Sequence, residues 1–327
     1  MNYTTYFKIL ARGATDAEAC DEISTHALYA ALFDGGLPEL EAGALIAYSR
    51  ARLPSLQETL GVQQAMMERV TQLKLPRRDL RPIIIPTYSA TTNFPNLTAL
   101  LALLLQRFEI PALLHGTLEG HGGVATAYVL REFNVLPCGS PLQAQLSLEQ
   151  GTLAFVPTAV LSSGFAQLLA MRNRLGLMNH DFFPIRLLDP FAGQGVYLCN
   201  IDDPATTDMY REALRTIGCR ALLFCGTEGE PFADPTRRPA FEFIANGNCT
   251  TLFEQEHHQS YANLHPPRNI DLRSTVAWIK QALAGEIALP HPILNQLACC
   301  LFASGYTKDM HQAKAIAAMT AGGHVAA

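Results

Sequence analysis

Residues Ile83-Ile84-Ile85 form a wholly apolar run held between Pro82 and Pro86, and this run divides the chain into two grammars. A strand with no polar alternation is one covered on both faces, as strands of parallel sheets are. The pattern recurs downstream. Residues 96–108 read as a helix, 111–115 as a strand, Gly122-Gly123 opens a helix to 132, and 153–156 is a third apolar strand. Strands alternating with helices predict a mostly parallel sheet with crossover helices. Further on, 196–201 and 221–225 read as strands around a helix at 208–217. Asn246-Gly247 predicts a hairpin joining 241–245 to 250–253. Helices over 271–284, 290–303 and 307–320 complete the chain, with an Ala/Gly-rich tail from Ala321 expected to fray.

The first 75 residues lack this alternation and read as helices only. Thr15 and Glu18 have capping-box spacing ahead of Ile23, Leu28, Ala31 and Leu32, and Gly35-Gly36 stops that helix. Pro38 suits the first turn of a second helix carrying Leu40, Ala44, Leu45 and Ala47. Ser55 and Glu58 make another capping box before Leu60, Met67 and Val70. The stretch 164–188 is helical again and is expected to pack back on this unit. The predicted class is therefore α/β, with a small all-helical N-terminal domain and a larger α/β domain. The helical domain takes 1–75 plus about 164–188; the α/β domain takes 80–160 and 190–327.

Composition narrows the function classes. The chain has 327 residues, 49% of them apolar, with mean hydropathy +0.10 and net charge −5. This excludes wholesale disorder and a globally basic nucleic-acid binder, leaving only a local basic patch. Eight cysteines form no C-x-x-C pair, which argues for free thiols in a reducing cytoplasm and against structural zinc. The N-terminus lacks a signal-peptide layout. The longest apolar run, 97–105, is far short of the roughly 20 residues that span a bilayer, so no membrane role is expected.

Several stretches carry a resemblance. They are Ile85-Pro86-Thr87-Tyr88, Leu114-His115-Gly116, Ala170-Met171-Arg172, Arg220-Ala221-Leu222-Leu223 continuing to Gly226-Thr227-Glu228-Gly229-Glu230, and Ala298-Cys299-Cys300-Leu301. Over nearly its whole length the sequence resembles the anthranilate phosphoribosyltransferase (TrpD) family, glycosyltransferase family 3, and within it the YbiB-like branch. The resemblance implies a homodimer formed through the helical domain. It also implies a site that binds phosphoribosyl pyrophosphate with magnesium and transfers the ribosyl unit to an aromatic amine or base.

The motif positions depart from that chemistry. Family enzymes carry a loop like G-T-G-G-D-G, whose glycine N–H groups approach pyrophosphate; here it reads Pro86-Thr87-Tyr88-Ser89-Ala90-Thr91. The Tyr88 side chain is expected to take space a phosphate needs. An N-x-S-T element survives in part as Asn96, Thr98 and Ala99. Two readings stay open: Thr87, Ser89, Thr91 and Asn96 bond a phosphate, or they form an ordinary capped polar loop. A K-H-G-N-R element has become Leu114-His115-Gly116-Thr117-Leu118, losing both cations and leaving His115 as a hydrogen-bonded strand-end histidine. A substrate arginine is replaced by Met178 in Leu175-Gly176-Leu177-Met178-Asn179. Glu228 and Glu230 stand where an Asp-Glu pair would hold magnesium; without the loop they read as a solvated turn or a pair of acceptors. Ser162-Ser163-Gly164 with His257-His258 lacks a nucleophile-elbow context.

The expectation is a degenerate site with no catalytic residue and no metal or cofactor, magnesium entering only if the site is active. Resemblance to this branch implies sequence-independent binding of DNA or RNA. Local support comes from Arg69, Lys74, Arg77, Arg78 and Arg81 against Asp79, a net charge of five minus one over residues 69–81. Arg172, Arg174 and Arg186 in the returning segment, and Arg237-Arg238, are further basic residues. Expected partners are nucleic acid and a second copy of the chain. The rival readings are an active glycosyltransferase with an unidentified substrate, and a binder of a phosphorylated metabolite or a protein.

Overall fold

The computed structural model describes residues 20–76, 79–120, 122–178, 182–256, 267 and 269–321. Three helices open the described chain: α1 (Glu22–Phe33), α2 (Glu39–Ala51) and α3 (Leu56–Met67). The Thr15–Glu18 capping box lies outside the described residues. Asp21 caps α1, its side chain accepting from Ser24 N at 2.7 Å. The Ser55–Glu58 box forms as expected. The apolar stripe assigned to α2 does not: Leu40 is 83% exposed, and the helix buries Ala42, Leu45 and Ile46. Ile23 on α1 is likewise 82% exposed.

The sheet then builds from β1 (Ile83–Thr87), β2 (Ala112–Gly116), β3 (Ala154–Pro157), β4 (Val196–Ile201), β5 (Arg220–Cys225), β6 (Phe241–Ala245) and β7 (Asn248–Phe253). Its order is β3-β2-β1-β4-β5-β6-β7. Strands β1 to β5 run parallel and the β6–β7 hairpin closes the edge antiparallel. The hairpin turns at Asn246 and Gly247, both at positive φ (52° and 73°), as a two-residue turn requires. Helices α4 (Thr98–Arg107), α5 (Thr126–Arg131), α6 (Pro141–Glu149), α7 (Thr158–Leu161) and α8 (Ser163–Arg174) lie between β1 and β4. After them come α9 (Thr207–Ile217), α10 (Leu272–Leu283), α11 (His291–Ser304) and α12 (Met310–Ala321). Helix α6 is absent from the sequence expectations, although Ser140 caps it and Pro141 opens it.

The pleat of β1 explains the layering. Ile84 faces one core, shared with Leu28, Phe33, Met66, Phe165 and Tyr197, so the helical unit and that sheet face pack as one cluster. Ile83 and Ile85 face the opposite core, with Leu101 of α4, Ile279 of α10 and Leu297 of α11. Helix α8 returns to the N-terminal helices; the Phe33 and Phe165 rings meet edge to face at 5.9 Å. Gly164 permits this contact, since a Cβ there would stand 2.0 Å from the Phe33 carbonyl oxygen. Connections run one way from β1 and the other way from β4. The C-terminal ends of these neighbours therefore flank the crevice where open α/β sheets hold ligands. Among the described residues no helix is long and apolar enough to cross a membrane, and all eight cysteines are free thiols.

Candidate functional site

The loop leaving β1 enters this crevice, and β2 passes it closely. A Cβ on Gly116 would lie 1.7 Å from the Thr87 carbonyl oxygen, so only glycine fits there. The loop's polar groups turn inward onto one carboxylate. Glu230 is fully buried. It accepts from Thr87 Oγ1 at 3.0 and 2.8 Å, from Ser89 N at 3.0 Å, from Thr98 Oγ1 at 2.9 Å and from Thr126 Oγ1 at 2.7 Å. Thr98 and Thr126 are the first residues of α4 and α5. Asn96 sets this arrangement: its Nδ2 donates to Thr126 Oγ1 and to the Val124 carbonyl, each at 3.0 Å, and its Oδ1 accepts from Thr98 N at 3.1 Å. Burial pushes the Glu230 carboxyl above its ordinary range, and the four donors oppose that.

Tyr88 does not fill the loop. A buried phenol needs a partner for its hydroxyl, and Tyr88 turns toward His115 Nδ1 (2.8 Å) and Thr158 Oγ1 (3.0 Å). Burial drives the Tyr88 hydroxyl up and holds His115 down to about 3, so the imidazole is neutral at ordinary pH. Among the described residues its Nε2 has no partner, nor has the buried Thr91 Oγ1, although Thr91 O accepts from Val124 N.

Glu228 takes the opposite course. It sits at φ 50° and Gly229 at φ 80°, so the turn sends the two carboxylates apart. Glu228 accepts from the backbone N–H groups of Thr92 and Asn93 at the rim. A cleft of about 420 Å³ opens there, lined by Tyr88, Ser89, Asn93, Asn173, Met178 and Glu228 among others. None of its described lining residues is a cation, and Met178 is 44% exposed.

The arrangement does not fit magnesium. Octahedral coordination needs free oxygen ligands, whereas both Glu230 oxygens are saturated by hydrogen-bond donors and Glu228 is engaged elsewhere. No group of three or more His, Cys, Asp or Glu could hold a metal among the described residues. Of the two readings of Glu228 and Glu230, a solvated turn or a pair of acceptors, the second describes them: Glu230 accepts in the interior and Glu228 at the rim.

Among the described residues, the expected basic residues are spread over several places in the fold. Arg81 lies at the N-terminal end of β1, a five-residue strand and so about 16 Å long, and thus at the end of the sheet opposite the loop. Its backbone N–H donates to Ser304 O and its Nη1 to Gln194 O. Lys74 is exposed, with its backbone N–H on Gln145. Arg174 is exposed, 3.5 Å from Glu39. Arg172 is buried, its Nη2 on the Met178 carbonyl and its guanidinium 5.0 Å from the Phe182 ring centroid, so it belongs to the core and not to a groove. Arg186 is also buried, 3.1 Å from Asp202. Arg69 pairs with Asp34, and Arg238 with Glu256. Arg77, Arg78, His257 and His258 lie outside the described residues. Sequence reasoning missed Arg220, which joins Arg81 at the end of α11 through its Nη2 and the Ala303 carbonyl. Burial, then the neighbouring Arg81 charge, push its guanidinium below the ordinary value.

This fold, with a loop at the β1/β4 crevice, is that of the anthranilate phosphoribosyltransferases. The enzyme from Thermus thermophilus superposes with a TM-score of 0.75 at 18% identity, covering 97% of this chain and 94% of that one. The Saccharomyces cerevisiae enzyme in complex with PRPP and Mg gives 0.66 at 13% identity, over 97% and 93%. No family model matches the chain. In sequence, it is 32% identical over 306 residues to the uncharacterized protein YbiB of Escherichia coli K12, covering 93% of this chain and 95% of that one. The anthranilate phosphoribosyltransferase of Methanosphaerula palustris is 23% identical over 226 residues, covering 68% and 66%. The chain belongs to the TrpD-like family, in its YbiB-like branch.

Proposed function

We propose that this chain is a non-catalytic TrpD-like protein, a cytoplasmic homodimer that binds DNA or RNA without regard to sequence. The observation that carries the loss of catalysis is the Glu230 carboxylate, which takes the hydroxyls of Thr87, Thr98 and Thr126 and the Ser89 N–H. A phosphate would have to displace a buried anion to use the same donors, and the described cleft lining offers no cation in exchange. By family the only reaction in question is pentosyl transfer.

Support for nucleic acid is the exposed Lys74 and Arg81, with Arg220 beside Arg81, and the Arg77-Arg78 pair between them in sequence. Such cations contact phosphates without base-reading geometry. Support for self-association is the exposure of Ile23 and Leu40 on the helical unit.

The test has two arms. A fluorescence assay for phosphoribosyl anthranilate is expected to show no turnover; turnover would overturn the non-catalytic reading. Anisotropy with a random oligonucleotide is expected to show binding that weakens with salt, with a log–log slope of roughly −0.9 per phosphate contact on duplex DNA. Replacing Arg77, Arg78 and Arg81 together by Ala should make the slope shallower by about one per arginine in contact. Absence of binding at low salt would overturn the nucleic-acid reading.

A further inference from the structure

Glu230 has the surroundings of a bound ligand. Its donors come from three places in the chain: the end of β1 and the residue that follows Tyr88, the first residue of α4, and the first residue of α5. Its own backbone belongs to a fourth, the turn after β5, closed by reciprocal hydrogen bonds between Thr227 and Glu230 at 3.1 and 2.9 Å. No basic side chain pairs with it among the described residues; hydrogen bonds alone hold the charge. The donors are also fixed in advance. Asn96 donates to Thr126 Oγ1, which leaves the threonine proton to point at Glu230. A set of oriented N–H and O–H groups around one point in a dry interior is what an oxyanion site consists of.

We propose that Thr87, Ser89, Thr98 and Thr126 form a carboxylate-binding site whose resident ligand is the chain's own Glu230, and that cutting this side chain back opens the site to a free small monocarboxylate. Glu230→Ala removes Cγ and the carboxylate, the outline of one acetate ion, and leaves every donor in place. Acetate satisfies all four donors. Acetamide has the same shape but turns an NH₂ group toward donors, so it does not. Phosphate is tetrahedral and larger than the vacated space. The inference rests on the reading that the loop is closed to phosphate in the intact protein. The turnover assay on the intact protein tests that reading separately.

The experiment measures the thermal midpoint of the full-length Glu230→Ala variant in acetate, acetamide, phosphate and chloride, at matched ionic strength for the salts. Acetate at about ten times its dissociation constant is expected to raise the midpoint by about 2 °C over chloride. Acetamide and phosphate should leave it unchanged, and the unaltered protein should respond to none of them. No gain with acetate, or an equal gain with acetamide or phosphate, overturns the proposal. If Glu230→Ala does not accumulate folded, the isosteric Glu230→Gln decides. A midpoint below that of the unaltered protein supports an anion requirement, and an equal midpoint overturns it.

Discussion

Glu228 and Glu230 stand two residues apart in one turn and have opposite environments. Glu230 is wholly enclosed among four protein donors. Glu228 is half-buried at a cleft mouth, on the N–H groups of Thr92 and Asn93. Gly229, at φ 80°, separates them by reversing the chain. The contrast shows that an acidic motif is defined by what its oxygens meet. The same two carboxylates facing each other could share a cation; turned apart, one is a core polar group and the other a loop clasp.

The contrast breaks most sharply at Glu230. Glu230→Gln should lose about 2–4 kcal/mol, because an amide N–H₂ would face a hydroxyl or N–H that needs an acceptor in a dry site. Urea unfolding monitored by circular dichroism measures this; a loss under about 1 kcal/mol would place Glu230 and Glu228 in one class.

A second test compares enclosed groups of opposite sign. His115 is held down to about 3 in the folded protein, while the unfolded chain takes up its proton near 6.5. The unfolded state thus binds more protons below about pH 6.5, and stability is lost as pH falls, by about 2 kcal/mol at about pH 5. Glu230 acts in reverse. Its folded-state pKa is raised, so protonation favours the fold and recovers stability as pH falls through the raised value. His115→Gln should flatten the acid-side loss, whereas Glu230→Gln should steepen it. Denaturant midpoints across pH for the three proteins check both signs.

The smallest effect is expected at the rim. Glu228→Gln keeps one acceptor oxygen for Thr92 or Asn93 and sits near water, so it should cost about 0.5–1 kcal/mol. A cost equal to that of Glu230→Gln would erase the distinction.

Much of the architecture was legible because it is local or periodic. The Ile83–Ile85 run gave a doubly covered strand, Ser55 and Glu58 gave a helix start, and Asn246-Gly247 gave the hairpin turn. The motif positions also led to the crevice. Direction was not legible. The hydrogen bonds from Thr87 to Glu230 span 143 residues, and nothing near either position announces that the loop's hydroxyls face inward. Arg172 read as a candidate for nucleic-acid contact because charge is visible in sequence, whereas the Phe182 ring beneath it is a product of folding. Leu40 and Ile23 carried the apolar periodicity of core residues yet face outward, since periodicity defines a stripe without saying what covers it.

The return of α8 to α1 also sets a timetable for biosynthesis. Helices α1 to α3 emerge before the sheet, but Phe165, the ring that closes on Phe33, comes after three strands have been made. At a ribosomal pace of about 5–20 residues per second, the nascent helices wait on the order of 5–20 s for their partner. Through that interval Leu28, Leu32 and Phe33 lack the Phe165, Leu168 and Leu169 side chains that share their core. These helices are thus made well before their partner, and in the meantime their open face is a surface for chaperones to hold.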